Sequence, residues 1–367
     1  MSIERPERVT ISDIARRLEI SKASVSYALN GRPGVSAETR RRVLALAEEI
    51  GFHASSAAVA LSASRSGTIG IVIARDPKVI TAEGFYMRTL FGVEQYLNDA
   101  DGSLLLRLTG ENGEDQEVYR RWARQGRVDG FILYDEHDDD PRIPLLESMG
   151  IPCVMVTSRD LDDHIGRLIT PELETVTVLL DHLNGLKHKR IGHVSGPMSY
   201  IHERVRADLL QREGKRRRMR MRHVEGTYEY ESGAERTDEL LGLAPQSRPT
   251  ALIVGNDIMA TAALRTAIDR GIRVPEDLSI IAWDDSVLCD VARPRLTAMD
   301  HGLMEKARLA TDLLFQLIEG GDDPHRISPV GTLLVRDSTG PAPRSARRTG
   351  DVAGERRGDD VTPSRAT

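Results

Sequence analysis

Residues 21 to 30 read Ser21-Lys22-Ala23-Ser24-Val25-Ser26-Tyr27-Ala28-Leu29-Asn30. On a helix, Val25, Ala28 and Leu29 share one apolar face, and Lys22, Ala23, Ser24, Ser26 and Tyr27 are left on the outer one. An ammonium, hydroxyls and a phenol facing outward suit a nucleic-acid contact if this is the second helix of a helix-turn-helix. A second concentration of charge, Lys215 to His223, reads Lys-Arg-Arg-Arg-Met-Arg-Met-Arg-His. It is either a solvated face or a contact for an anion or an acidic protein surface. His182, His188, His193 and His202 are close in sequence but straddle helix, loop and strand without ligand-like spacing. His137 with Asp138, Asp139 and Asp140 reads as a solvated acidic loop. There is no glycine-rich phosphate loop, GxSxG elbow or HExxH. The expectation is no catalysis, no metal and no cofactor.

The elements that must position the outer face are three short helices. Thr10 and Asp13 have the spacing of a capping box opening Ile11 to Leu18, where Ile14, Ala15 and Leu18 share a face. Ser21 caps the second helix across the short turn Glu19-Ile20. Ser36 caps a third, with Val43, Leu46, Ala47 and Ile50 inward and Gly51 as its stop. Residues 52 to 66 are small and polar with a helix-compatible centre, which is too short to hold alone and needs a partner to form.

From Gly67, apolar runs at Thr68 to Ala74, Leu104 to Leu108, Gly130 to Tyr134, Cys153 to Val156, Arg190 to Val194, Ala251 to Val254 and Ser279 to Trp283 alternate with amphipathic stretches. The latter include Leu90 to Ala100, Val176 to Leu186, Ile258 to Arg270 and Met304 to Glu319. Such alternation predicts parallel sheets covered by helices on both faces, and its span suggests two lobes. The expected organisation is a head over 1–51, a linker over 52–66, a body over 67–340 and a disordered polar tail over 341–367.

The composition of the 367 residues, 40% hydrophobic and 29% charged, excludes fibrous and disordered classes. Residues 1–66 carry ten Lys/Arg and seven Asp/Glu, so a basic head of net +3 stands on a body of net −9. No apolar run is long enough to span a bilayer, and Met1 to Glu7 lacks the apolar segment of a secretory signal. Cys153 and Cys289 lie far apart, outside any CxxC pattern. A reducing cytoplasm and no membrane contact are expected.

Motifs along the chain then bear comparison with a known family. In the head they are Val9-Thr10-Ile11-Ser12-Asp13-Ile14-Ala15, Ser21 through Gly31, Val35-Ser36-Ala37-Glu38-Thr39-Arg40 and Gly51-Phe52. In the body they include Thr68-Ile69-Gly70-Ile71-Val72, Val128-Asp129-Gly130, Gly150-Ile151-Pro152, Gly255-Asn256-Asp257, Val274-Pro275-Glu276-Asp277-Leu278-Ser279, Asp284-Asp285, Arg293-Pro294 and Leu334 through Thr339. With these, the chain from Val9 to Pro341 resembles the lactose-repressor-type (LacI/GalR) family of bacterial transcription regulators.

The resemblance implies a small all-α helix-turn-helix head and an α/β two-lobed body like that of periplasmic binding proteins. It implies a homodimer that binds a pseudo-palindromic double-stranded DNA operator, with repression the preferred outcome. A small-molecule effector between the lobes, a sugar by preference, would control the affinity. The alternatives are a regulator of the same fold that depends on a corepressor, such as a nucleobase or a phosphorylated intermediate, or on no effector, and a cytoplasmic sugar-binding protein.

By position, Lys22, Ala23 and Tyr27 match base-reading places. Ser24, Ser26, Asn30 and Thr39 match phosphate-positioning ones, and Thr10 and Ser21 complete the DNA-contact set. Leu61 matches a leucine wedged into the minor groove, and Ala58 lets two hinge helices approach. Arg204, Asn256 and Asp284 match effector contacts, and Phe85, Tyr86 or Trp283 can stack on an apolar sugar face. The alternatives are a surface ion pair for Arg204, a helix cap for Asn256 and a strand-end cap for Asp284. Departures from the family pattern stand at Glu19, usually glycine, at Ala54-Ser55-Ser56, at Thr170 through Glu174, and at Arg206-Ala207-Asp208.

Overall fold

In the computed structural model the described residues are 9–29, 31, 33–52, 65–82, 84–110, 113–161, 165–322 and 324–343. The head consists of α1 (Ile11–Leu18), α2 (Lys22–Leu29) and α3 (Ala37–Glu49). Each helix begins at a side-chain hydrogen bond that ties its cap residue to its first turn. Asp13 Oδ2 accepts the Thr10 amide at 2.9 Å and the Thr10 hydroxyl at 2.7 Å. Those Thr10 bonds hold the Asp13 carboxyl below its ordinary range. Ser21 Oγ accepts Ser24 N at 3.0 Å, and Ser36 Oγ accepts Thr39 N at 3.1 Å. Ile14, Val25 and Val43 are fully buried at the centre, and Leu18, Leu29, Leu46, Ile50 and Phe52 close around them. At about 1.5–3 kcal/mol per buried aliphatic side chain, this small core is what holds three short helices together.

After the head come β1 (Thr68–Ala74), α4 (Pro77–Ala82), α5 (Gly84–Ala100), β2 (Ser103–Thr109), α6 (Glu114–Arg124), β3 (Gly130–Leu133) and α7 (Arg142–Ser148). β4 (Cys153–Thr157), β5 (Gly166–Ile169), α8 (Glu172–Gly185), β6 (Arg190–Ser195), α9 (Ile201–Arg216), β7 (Arg220–Glu225) and α10 (Tyr230–Leu241) follow. The chain continues with β8 (Ala251–Val254), α11 (Asp257–Asp269), β9 (Ser279–Ala282), α12 (Val287–Val291), β10 (Thr297–Asp300), α13 (Leu303–Ile318), β11 (His325–Ile327) and β12 (Thr332–Leu334). Two compact units result. The first runs from the head through Pro77 and includes Arg88–Ile169 and Met304–Ser328; the second holds Lys78–Met87, Thr170–Leu303 and the chain from Pro329 onward.

Unit 1 carries a parallel sheet in the order β11-β5-β4-β3-β1-β2. Its inner strands are apolar on both faces because helices cover both, as parallel sheets require. The helices lie close because glycine lets them: a Cβ on Gly130 would meet Leu314 Cδ1 at 2.8 Å, and one on Gly92 would strike the Met304 backbone. Just before β1, Asp129 accepts Ser66 N at 2.6 Å and Gly67 N at 2.7 Å.

Unit 2 has the order β12-β10-β9-β8-β6-β7, parallel except that β12 runs antiparallel to β10. One face, with Val194, Leu252, Val254 and Ile280, packs on α10 and α11, and Val79 of α4 joins it. The other, with Ile191, Ile253, Ile281 and Trp283, packs on α8 and α9.

The seven expected strands are all present, and five more strands are found: β5, β7, β10, β11 and β12. These are short or, in β7, an edge strand rich in arginine, so none has the apolar run that marks a buried strand. Among the described residues no helix is long and apolar enough to cross a membrane.

Glu19 sits in the turn between α1 and α2 at φ 55°, ψ 41°, and Ile20 N donates to Ala15 O across it at 3.1 Å. The turn thus keeps the left-handed geometry that glycine adopts freely, and the packing of the three helices absorbs a strain of about 1 kcal/mol. Glu19→Gly is expected to stabilise the head by up to about 1 kcal/mol, read as a rise in its thermal midpoint. A fall in that midpoint would show that the turn is unstrained.

Candidate functional site

On α2, Lys22, Ala23 and Tyr27 are exposed and Ser24 and Ser26 are half-buried, while Val25 and Ala28 point into the head core. Tyr27 lies against the loop that leads to α3: a Cβ on Gly34, itself at φ 119°, would meet the Tyr27 ring at 3.1 Å. The ring is therefore held in place while 41% of the residue stays exposed. The hydroxyls of Ser21 and Ser24 bond each other at 2.9 Å, as do those of Ser36 and Thr39, and Thr10 is bonded to Asp13. Thr10, Ser21, Ser24 and Thr39 thus stand at helix starts, where backbone N–H groups and the positive end of the helix dipole favour a phosphate. Asn30, Ala58 and Leu61 lie outside the described residues.

The other candidate residues fall in unit 2; Arg204, Asn256, Trp283 and Asp284 follow the carboxyl ends of β6, β8 and β9, which is where open parallel sheets bind ligands. Arg204 is half-buried on α9. Asn256 is buried at the start of α11, where its Oδ1 accepts Met259 N at 2.8 Å and its Nδ2 donates to Tyr228 O at 3.0 Å. The capping alternative for Asn256 is therefore realised. Asp284 follows β9, and its Oδ1 lies 3.8 Å from His301 Nε2, which also bonds Trp283 O at 2.8 Å. Phe85 and Tyr86 meet edge to face at 5.2 Å on the first turn of α5. Trp283 is fully buried; Arg206 lies over its ring at 4.4 Å and His301 stacks at 5.9 Å. It presents no open face for a sugar and instead supports Arg206.

Arg206 is the centre of this region. Its Nε and Nη2 donate to the two carboxylate oxygens of Glu172 at 3.3 and 3.2 Å, and Nη1 donates to Glu203 at 3.0 Å. Burial works against its charge, but Glu172 and Glu203 outweigh that and push its pKa up. Glu203, with no exposed surface, also accepts Gly196 N at 3.0 Å and the Tyr228 hydroxyl at 2.7 Å, and that hydroxyl meets His202 Nε2 at 2.9 Å. Trp283 Nε1 and both ring nitrogens of His193 are buried with no hydrogen-bond partner among the described residues. No motif in the sequence assigns Glu172, Glu203 or Arg206 a role. The signal was the departure from the family pattern at Glu172 and at Arg206. Among the described residues no group of His, Cys, Asp and Glu is placed to hold a metal ion.

Residues 10–55 match the profile "Bacterial regulatory proteins, lacI family", and residues 180–339 match "Periplasmic binding protein-like domain". The HTH-type transcriptional regulator CelR of Thermobifida fusca is 29% identical over 92% of this chain and all of its own. The crystal structure of a LacI family transcriptional regulator from Bifidobacterium animalis subsp. lactis is 34% identical, with 76% of this chain and 99% of that one covered and a TM-score of 0.70. A structure described as a transcriptional regulator CelR–cellobiose complex is 26% identical, with 90% and 100% covered and a TM-score of 0.68.

His193 supplies a pH test of the region. Burial first, then His223 and Arg206, push its pKa down to about 3, against an ordinary value of 6.5. Between those values the unfolded chain binds a proton that the folded chain refuses, so stability falls as pH drops below about 6.5. At about 1.4 kcal/mol per pH unit, His193 is expected to cost about 2 kcal/mol between pH 7 and pH 5. His182, His188 and His223 are also lowered, chiefly by burial, and act in the same sense. His193→Phe should therefore reduce, not abolish, the pH dependence of the urea midpoint; an unchanged slope would exclude His193 as a contributor.

Proposed function

The chain belongs to the lacI family of bacterial regulatory proteins and is a DNA-binding transcription regulator, and from that premise we propose that it is a repressor released from its operator by a carbohydrate effector. The observation that carries the reading is the outer face of α2, where Lys22, Ala23 and Tyr27 are exposed on a helix fixed by its own core. Lys22 donates to guanine acceptors, the Ala23 methyl meets thymine and Tyr27 brings a hydroxyl and a ring. Thr10, Ser21, Ser24, Ser26, Asn30 and Thr39 hold the phosphates and set register. Two copies of the chain, related by a two-fold axis, address two half-sites of a pseudo-palindromic operator. Occupancy of such a site excludes other proteins from the same DNA without any further contact.

The head is residues 1–51 and the linker 52–66; within the linker, Leu61 opens a base step in the minor groove and Ala58 allows the close approach of its twin. The body, 67–340, carries the effector site, with 341–367 as a tail. Arg204 and Asp284 donate to and accept from ligand hydroxyls, Asn256 acts from its capping position, and half-buried Phe85 supplies the apolar contact with buried Tyr86 packed edge to face against it. Trp283 contributes its buried Nε1–H and its support of Arg206. The cellobiose in the complex of the CelR relative supports a sugar as the ligand class. Effector and DNA are then coupled by linkage, and the change in operator affinity is bounded by the effector's differential affinity for the two states.

The test is binding of the full-length protein to labelled DNA from upstream of its own gene, at stated salt with excess competitor, against a panel of sugars. Specific binding that one sugar releases is the expected result; specific binding that every sugar leaves unchanged would overturn the carbohydrate reading. Lys22→Ala and Tyr27→Ala are each expected to weaken specific binding by roughly 1–3 kcal/mol and non-specific binding much less. Leu61→Ala should also weaken specific more than non-specific binding, and equal loss on both DNAs would exclude the wedge. Asp284→Ala should leave operator binding intact and flatten the dose curve of the releasing sugar; an unaltered curve would remove Asp284 from the site.

A further inference from the structure

The cationic run Lys215 to His223 takes no part in that reading. In the fold it comprises the end of α9, a turn in which Arg218 adopts φ 57°, and the start of the edge strand β7. The register places Arg190 of β6 beside Arg220, and Gly192 beside Arg222. Side chains alternate across a sheet, and Val194 and Val224, on the same face as these residues, pack into the core formed with α10 and α11. Arg190, Arg220 and Arg222 therefore stand together on that face. On α10, which covers that face, Asp238 pairs with Arg270, and Glu235 and Glu239 pair with Arg236.

Among the described residues no ion pair reaches the three arginines. Arg190 is anchored by Nε, which donates to Arg248 O at 2.7 Å and leaves its two terminal nitrogens without a partner among the described residues. With Gln246, Ser247 and Pro249 of the turn before β8, the three line a cavity of about 50 Å³. That is room for a small group such as a tetrahedral oxyanion. Arg190 is half-buried and Arg220 and Arg222 are exposed; the like charges of the register pair Arg190 and Arg220 disfavour each other, an anion among the three offsets that, and their planar forks match phosphate oxygens.

We propose that Arg190, Arg220 and Arg222, with the Gln246 amide and the Ser247 hydroxyl, form a binding site for a phosphate group. It lies at the amino ends of the strands, about 16 Å along β6 from Ser195 at 3.3 Å per residue, and is separate from the effector candidates at the carboxyl ends. The ligand is either free phosphate or the phosphate of a monoester.

The full-length protein is titrated by calorimetry with inorganic phosphate and with glycerol 3-phosphate, against sodium chloride at equal ionic strength. Saturable binding is expected, weakened roughly tenfold or more in Arg220→Gln/Arg222→Gln and by less than about twofold in Arg216→Gln, whose side chain pairs with Glu213 outside the cavity. Arg222→Lys, which keeps the charge and loses the fork, should fall between, and it carries the test if the double variant does not fold. Tighter binding of the monoester identifies an ester as the source, and equal binding identifies the phosphate group alone. No saturable heat beyond that of chloride, or an equal loss in Arg216→Gln, would overturn the site.

Discussion

A guanidinium cannot be buried by itself, and the arrangement of unit 2 around its candidate effector residues follows from that constraint. Taking an isolated ion out of water costs several kcal/mol, which only well-placed opposite charge and hydrogen bonds offset. Arg206 meets it with two carboxylates, three hydrogen bonds and the Trp283 face. Each partner is tied further. Glu203 binds the backbone that follows β6 and the hydroxyl of Tyr228, and Tyr228 O accepts the Asn256 side chain that opens α11. Glu172 begins α8 and Trp283 follows β9. One largely enclosed charge, with 16% of its side chain exposed, thus sets the mutual positions of four segments that carry Arg204, Asn256 and Asp284.

The head solves its own problem by a different means. It has little apolar surface to bury, so helix starts are closed by Thr10 with Asp13, Ser21 and Ser36. Those same starts collect the backbone donors that suit phosphates. In the proposed reading, structural capping and DNA positioning draw on one set of hydroxyls, and the candidate base-reading side chains stand on the face that the core leaves free. The strain at Glu19 is tolerated because both flanking helices are anchored in that core.

Much of this was legible in the sequence. The three head helices follow from their caps and apolar faces, and the inner strands from short apolar runs between helices. Edge strands were missed because they carry no such run: β7 is half of a basic stretch, and its register with β6 is a long-range fact that no local pattern contains. Asn256 was readable as either ligand contact or cap, and the fold uses it as a cap. Trp283 looked like a stacking surface because aromatic type is visible in a sequence, whereas the guanidinium above its ring is not. The Arg206 network joins residues 172, 203, 206 and 283, and only the departures from the family pattern near Glu172 and Arg206 hinted at it.

The chain has two tryptophans, Trp122 in unit 1 and Trp283 in unit 2, so Trp122→Phe leaves Trp283 as the sole indole reporter beside Arg206 and Asp284. The most direct measurement is its emission during titration with the sugar panel, run in parallel with operator binding under the same conditions. If unit 2 holds the effector, the sugar that alters operator affinity also shifts Trp283 emission, saturably and with the same midpoint. An operator response to a sugar with no change in Trp283 emission would contradict an effector site at these residues.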